Sequence, residues 1–163
     1  MSPFETRFLA DSMLGRLAKW LRVMGLDTHY QPFYKDGVIS HITHDGRMLL
    51  SRQRSIINQY PNSLLILSEQ VKDQLHEIRD RGYLQTDRSK WFARCLICNT
   101  LLKEVPAEKA CKNIPEYVFY QNIKGIRLCP TCGRYFWPGS HKKRMISQLE
   151  DWGFRYIPDS PVQ

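Results

Sequence analysis

Two short cysteine pairs, Cys95-Leu96-Ile97-Cys98 and Cys129-Pro130-Thr131-Cys132, carry the most specific chemistry written in this chain. Each C-x-x-C turn can present two sulfurs to half of a tetrahedron, the coordination of structural zinc. The 30 residues between the pairs let the two halves form as separate turns. Gly133 after the second pair suits the positive φ of a tight turn, and Asn99 after the first tolerates the same conformation. Four thiolates leave no open position for a water, so the expected Zn2+ is structural. Cys111 is left over and is expected as a small buried apolar residue. Tyr135, Phe136 and Trp137 could stack on nucleic-acid bases, but so small a module needs large side chains for its core, which favours packing.

Carboxylates supply the second candidate chemistry. Asp11 follows the apolar run 6–10, and Asp36 stands where a helical pattern opens. Both then fall on the edge of a sheet where strand C-termini converge, and two such acids can hold Mg2+ or Mn2+. An ion held there neutralises charge on a phosphoryl oxygen and lowers the pKa of a bound water, the chemistry of nuclease sites. An aspartate that caps a helix has the same local sequence, so spacing leaves both readings open.

The elements that must position these groups are legible as alternating apolar patterns. After the strand at 6–10, Leu14, Leu17, Ala18 and Leu21 recur at helical spacing until Gly25. His29 and Tyr30 fall in a second strand, and Val38, Ile39 and Ile42 mark a second helix that stops near Asp45-Gly46. Residues 48–51 and 64–68 read as buried strands, and a further helix runs from Glu69 to Arg81 with Val71, Leu75 and Ile78 on one face. Short apolar strands alternating with helices predict a parallel sheet covered on both faces, with ligands at the strands' C-terminal ends. Beyond about residue 90 the texture turns to Cys, Pro, Gly and aromatics until a last helical stretch from His141 to Trp152.

Composition bounds the function classes. With 163 residues, 42% of them hydrophobic and 25% charged, the chain can bury a core without disulfides. No apolar run is long enough to span a membrane, and residues 1–10 lack a signal-peptide layout, so a cytoplasmic protein is expected. The formal charge of +8 falls to roughly +6 once a four-thiolate zinc is counted. That surplus favours a polyanionic partner without identifying one.

Two longer stretches are more specific than any of these signals. Phe8-Leu-Ala-Asp-Ser-Met-Leu-Gly-Arg-Leu-Ala-Lys-Trp-Leu-Arg22 and Cys129-Pro-Thr-Cys-Gly-Arg-Tyr-Phe-Trp-Pro-Gly-Ser-His-Lys-Lys-Arg-Met145 together resemble the Mut-seven C-terminal RNase family. The resemblance implies an α/β, PIN-like three-layer domain with a parallel sheet over residues 1–88 and a zinc ribbon over 89–140. A C-terminal helix and tail, 141–163, can pack back on the first domain. It implies Asp11 and Asp36 as metal-binding acids, and it puts Gln53 where the family has an aspartate after a Thr-Arg pair. Gln offers a neutral oxygen and no charge, which weakens Mg2+ binding. Glu69 can compensate or can simply open a helix. His141 and Arg144 match the family's ending and serve either as phosphate ligands or as solvated helix charges.

Three functions follow. The first is a metal-dependent ribonuclease in which Arg16, Lys19, Arg52 and Arg54 hold the RNA backbone. The second is an inactive RNA-binding zinc-ribbon module. The third is a protein-interaction module that docks a partner through Met145, Ile146, Leu149 and Trp152. RNA is expected as a partner only through the resemblance, and the oligomeric state stays open.

Overall fold

The computed structural model describes residues 5–85 and 87–154. These form two compact units that divide between Phe92 and Ala93. The end of the expected tail, 155–163, lies outside the described residues.

The first unit is a four-stranded parallel sheet with helices on it. Its elements run β1 (Phe8–Ala10), a 3-10 turn (Ser12–Leu14), α1 (Gly15–Val23), β2 (Thr28–Tyr30), α2 (Val38–Thr43), β3 (Met48–Ser51), α3 (Arg54–Ile57), β4 (Ser63–Leu65) and α4 (Val71–Asp80). The strand order is β2-β1-β3-β4, all parallel. Every residue of β1 is fully buried, as a central strand covered on both faces must be. The chain passes from β1 to β2 on one side and then returns across β1 to β3. Right-handed connections therefore put α1 on one face of the sheet and α2 and α3 on the other. α1 and α4 pack together, and Leu17, Leu21, Leu75 and Ile78 are completely buried.

The expected parallel sheet is present, with two local differences. β4 ends at Leu65 rather than Ser68, because the Leu67 and Ser68 amides turn to the Glu77 carboxylate at 3.0 and 2.6 Å. The helix expected from Glu69 starts at Val71, so Glu69 lies in the preceding loop. The short α3 forms after Gln53, between the two expected strands.

The second unit holds a three-stranded antiparallel ribbon, β5 (Lys103–Glu104), β6 (Arg127–Leu128) and β7 (Tyr135–Phe136), and the final helix α7 (Ser140–Asp151). Two helices not anticipated from the sequence, α5 (Ala107–Asn113) and α6 (Glu116–Gln121), occupy the stretch between the cysteine pairs. Each is only one to two turns long and follows a proline, Pro106 or Pro115, that ends the preceding segment. Ala110, Ile114, Val118 and Ile126 form a small core, against which Tyr135 and Trp137 pack. Tyr135 and Trp137, beside the second cysteine pair, thus help build the module. In α7, Met145 and Leu149 are buried, so two of the four residues considered for partner docking are not available at the surface.

Candidate active site and metal centre

The four cysteines come together as the spacing requires. Their Sγ atoms all lie within 4.8 Å of one another, and those of Cys95 and Cys132 are 3.9 Å apart. A tetrahedron with Zn–S bonds of about 2.3 Å has edges of about 3.8 Å, so the donor set and its size both fit zinc. Each knuckle closes on its own backbone. The Asn99 amide donates to Cys95 O at 2.9 Å, and the Gly133 amide donates to Cys129 O at 2.9 Å. Asn99 and Gly133 adopt φ of 66° and 75°, the left-handed conformation expected of them. The hydroxyls of Thr100 and Thr131, 2.8 Å apart, tie one knuckle to the other. Burial pushes the Cys95 thiol up, whereas the backbone N–H and then the side chain of Arg134 draw Cys132 down to about 6. Cys111 is not the buried residue expected: it is exposed on α5, where its thiol donates to Glu108 O at 3.2 Å. The core side of that helix is already taken by Ala110.

In the first unit the reversal between β2 and β3 creates a switch point at the C-terminal ends of β1 and β3, where α/β sheets place their ligands. Asp11 and Ser51 sit there. Asp11 is 4% exposed and Ser51 fully buried. The Ser51 hydroxyl donates to Asp11 Oδ2 at 2.8 Å, while the Ser12 amide donates to Oδ1 at 2.6 Å. Asp11 caps the 3-10 turn and at the same time lies at the edge of the sheet where the C-terminal ends of β1 and β3 meet. The Asp11 amide donates to Leu50 O at 3.0 Å, which fixes the acid to the neighbouring strand.

Two tyrosines brace this edge. Tyr30 donates to Ser12 O at 3.0 Å, an approach that Gly15 leaves room for: a Cβ there would lie 2.8 Å from the Tyr30 hydroxyl and force the ring to shift. Tyr34 donates to Ala10 O at 2.7 Å and accepts from the Gln31 amide at 3.0 Å, so it ties the loop before α2 to the end of β1. Burial, reinforced by the Asp11 charge, pushes the Tyr34 hydroxyl up to about 12.

The other expected acids are less engaged. Asp36 is exposed in the loop held by Tyr34, and Gly37 rather than Asp36 precedes α2 as its cap. Glu69 is exposed and lies 3.9 Å from Arg52. Gln53 is exposed; its amide donates to Ser51 Oγ at 3.1 Å and its side chain to Met13 Sδ at 3.3 Å. Among the described residues, the four cysteines are the one group of three or more metal-binding side chains that converges this closely, so Asp11, Asp36 and Glu69 form no preassembled cage. Mg2+ needs none, since it commonly takes one or two carboxylates and completes its shell with water and substrate phosphates. The hard oxygens of Asp11, beside the Ser51 hydroxyl, fit an ion held in that way.

The expected cations line up unevenly. Arg16, Lys19 and Arg54 are exposed, and Arg52 is half-buried with no partner for its Nε among the described residues. His141 and Arg144 are exposed on α7, where Arg144 bonds back to Ser140.

The model of the Mut7-C RNAse domain matches residues 6–149. The chain belongs to the Mut7-C RNAse domain family. The match takes in both the Asp11 edge and all four cysteines. Comparison with curated proteins and with solved structures gives no match. The stretch from Phe8 to Arg22 that resembles the family contains Asp11 but not what fixes it. Ser51, which holds its carboxylate, was hidden in an apolar run, and Tyr34, which holds the Ala10 carbonyl just before it, in a loop; the polar residue closing an apolar strand was the one available signal. Among the described residues no helix is long and apolar enough to cross a membrane.

Proposed function

We propose that this chain is a metal-dependent ribonuclease that hydrolyses phosphodiesters at the Asp11 edge of the sheet. One observation carries the reading: a buried carboxylate, fixed by Ser51, at the strand switch point between β1 and β3. Asp11, with Asp36 from the adjoining loop, would hold Mg2+ or Mn2+. Such an ion supplies charge neutralisation at a phosphoryl oxygen and a lowered pKa of water. The chain's own residues do the positioning. Ser51 and the Ser12 amide keep Asp11 in one orientation, and Tyr34 anchors the loop that carries Asp36. Arg52, just after β3, keeps its guanidinium partly exposed, with Nη2 3.9 Å from Glu69, and a guanidinium suits a phosphate oxygen. Arg16, Lys19 and Arg54 supply exposed charge for the RNA backbone.

Gln53 favours a second reading, an RNA-binding module with little or no catalysis, because a neutral exposed side chain stands where the family resemblance implies an acid. Cleavage of structured and single-stranded RNA with Mn2+ or Mg2+ separates the two. The first reading expects cutting by the wild type, loss with Asp11→Asn, and a gain with Gln53→Asp. Cutting that survives chelation of divalent ions, or that Asp11→Asn leaves intact, would sink it. Salt-sensitive binding without cleavage would establish the second reading.

A further inference from the structure

We infer that α6 is a stacking platform for unpaired RNA bases, built from Tyr117 and Tyr120. The inference rests on the RNA reading above and adds a substrate class to it. Aromatic residues were expected to meet bases, if at all, beside the second cysteine pair. The structure uses Tyr135 and Trp137 there for packing and puts two other tyrosines in solvent.

Tyr117 and Tyr120 are 68% and 65% exposed, an unusual state for two large rings three residues apart on one helix. That spacing sets them side by side on the outward face, while Val118 holds the opposite face in the small core. Tyr120 is also oriented. Phe119, which packs against that core, meets it edge to face with ring centroids 5.3 Å apart. A ring braced in this way offers its free face with little ordering cost. A row of exposed, oriented aromatic faces is how single-stranded nucleic acid is held without reading its sequence.

Charge complementarity selects RNA over an apolar partner as the occupant. The exposed residues flanking the tyrosines include Lys112 at the end of α5 and Lys124 just past α6, with Glu116 as the carboxylate of α6 itself. Across 93–154 the chain has ten Lys and Arg against five Asp and Glu, a surplus that a four-thiolate zinc brings down to roughly three. Tyrosine rings need bases that are free of pairing, so the platform fits single strands, loops and ends rather than duplex.

The test measures equilibrium binding of a labelled unstructured RNA, and of the same sequence annealed as a duplex, to the full zinc-loaded chain. No Mg2+, Mn2+ or chelator is added, so affinity is read apart from cleavage and the zinc site stays intact. Tyr117→Ala/Tyr120→Ala should weaken single-strand binding by at least about tenfold and change duplex binding by less than about twofold. Tyr117→Phe/Tyr120→Phe, which keeps both ring faces, should bind like the wild type. An unchanged zinc content in each variant confirms that the module is folded. Single-strand binding unchanged in the alanine pair overturns the proposal, as does an equal loss on duplex. Loss of self-association with RNA affinity intact would also overturn it, by assigning the face to a second copy of the chain. Failure here leaves the Asp11 reading standing, because that reading is judged by cleavage with Asp11→Asn.

Discussion

Replacing Ser51 by alanine should destabilise the first unit through one buried carboxylate. The Ser51 hydroxyl is the donor to Asp11 Oδ2, at 2.8 Å, in a place where Ser51 is fully buried and Asp11 is 4% exposed. Removing it leaves one oxygen of a buried acid without that partner, and hydrogen bonds to charged groups contribute about 1.5–3 kcal/mol. The Gln53 amide loses its acceptor too, but Gln53 is exposed and water can replace the bond at little cost. Trimming a hydroxyl creates almost no cavity, so the expected loss is about 2 kcal/mol, on the order of 10 °C in Tm for a unit of this size. Ser12→Ala provides the internal comparison. Its hydroxyl lies 3.3 Å from Asp11 Oδ1, and the stronger 2.6 Å bond comes from its backbone amide, which the substitution keeps. That change should cost well under about 1 kcal/mol. Urea unfolding followed by circular dichroism, with zinc content measured in parallel, reads both. If Ser51→Ala and Ser12→Ala are equally mild, or Ser12→Ala is the worse, Ser51 does not hold Asp11 as described.

Two further outcomes follow from the same geometry. With zinc bound, one of the five cysteines, Cys111, should react rapidly with a thiol reagent, and all five should react once zinc is removed under denaturing conditions. More than one fast thiol in the zinc-loaded chain would contradict the tetrahedral site. Glu77 should make the first unit acid-sensitive. Burial pushes its carboxyl up, but hydrogen bonds from the Ser68 hydroxyl and the Leu67 and Ser68 amides outweigh this and leave it below its ordinary 4.5. A depressed carboxyl contributes stability that is present above pH 4.5 and lost as pH falls through the lower folded value. Urea midpoints of the wild type should therefore drop between neutral pH and pH values under about 4 more than those of Glu77→Gln. Equal drops would show that Glu77 does not secure the loop after β4.

Much of the fold was legible because its signals are local. Short apolar runs separated by helical repeats signal parallel strands, and each C-x-x-C turn signals half of a tetrathiolate site within four residues. Local patterns misled where one residue's fate depended on a neighbour far along the chain. Ser68 left its strand because Glu77, nine residues on, offers a carboxylate to its amide. Cys111 is exposed because Ala110 fills the core position beside it.

By itself the sequence determined the cysteine ligands, the alternation of strand and helix, and Asp11 as an acid at a strand's end. Each of these is encoded within a few residues by spacing and side-chain type. Only the tertiary structure decided that Asp11 is buried against Ser51, forty residues away, and that Tyr117 and Tyr120 stand in solvent, whereas packing of the knuckle aromatics Tyr135 and Trp137 was already favoured by the small size of the module. Strand order and burial settle those matters, and both emerge only when separate segments compete for the same interior.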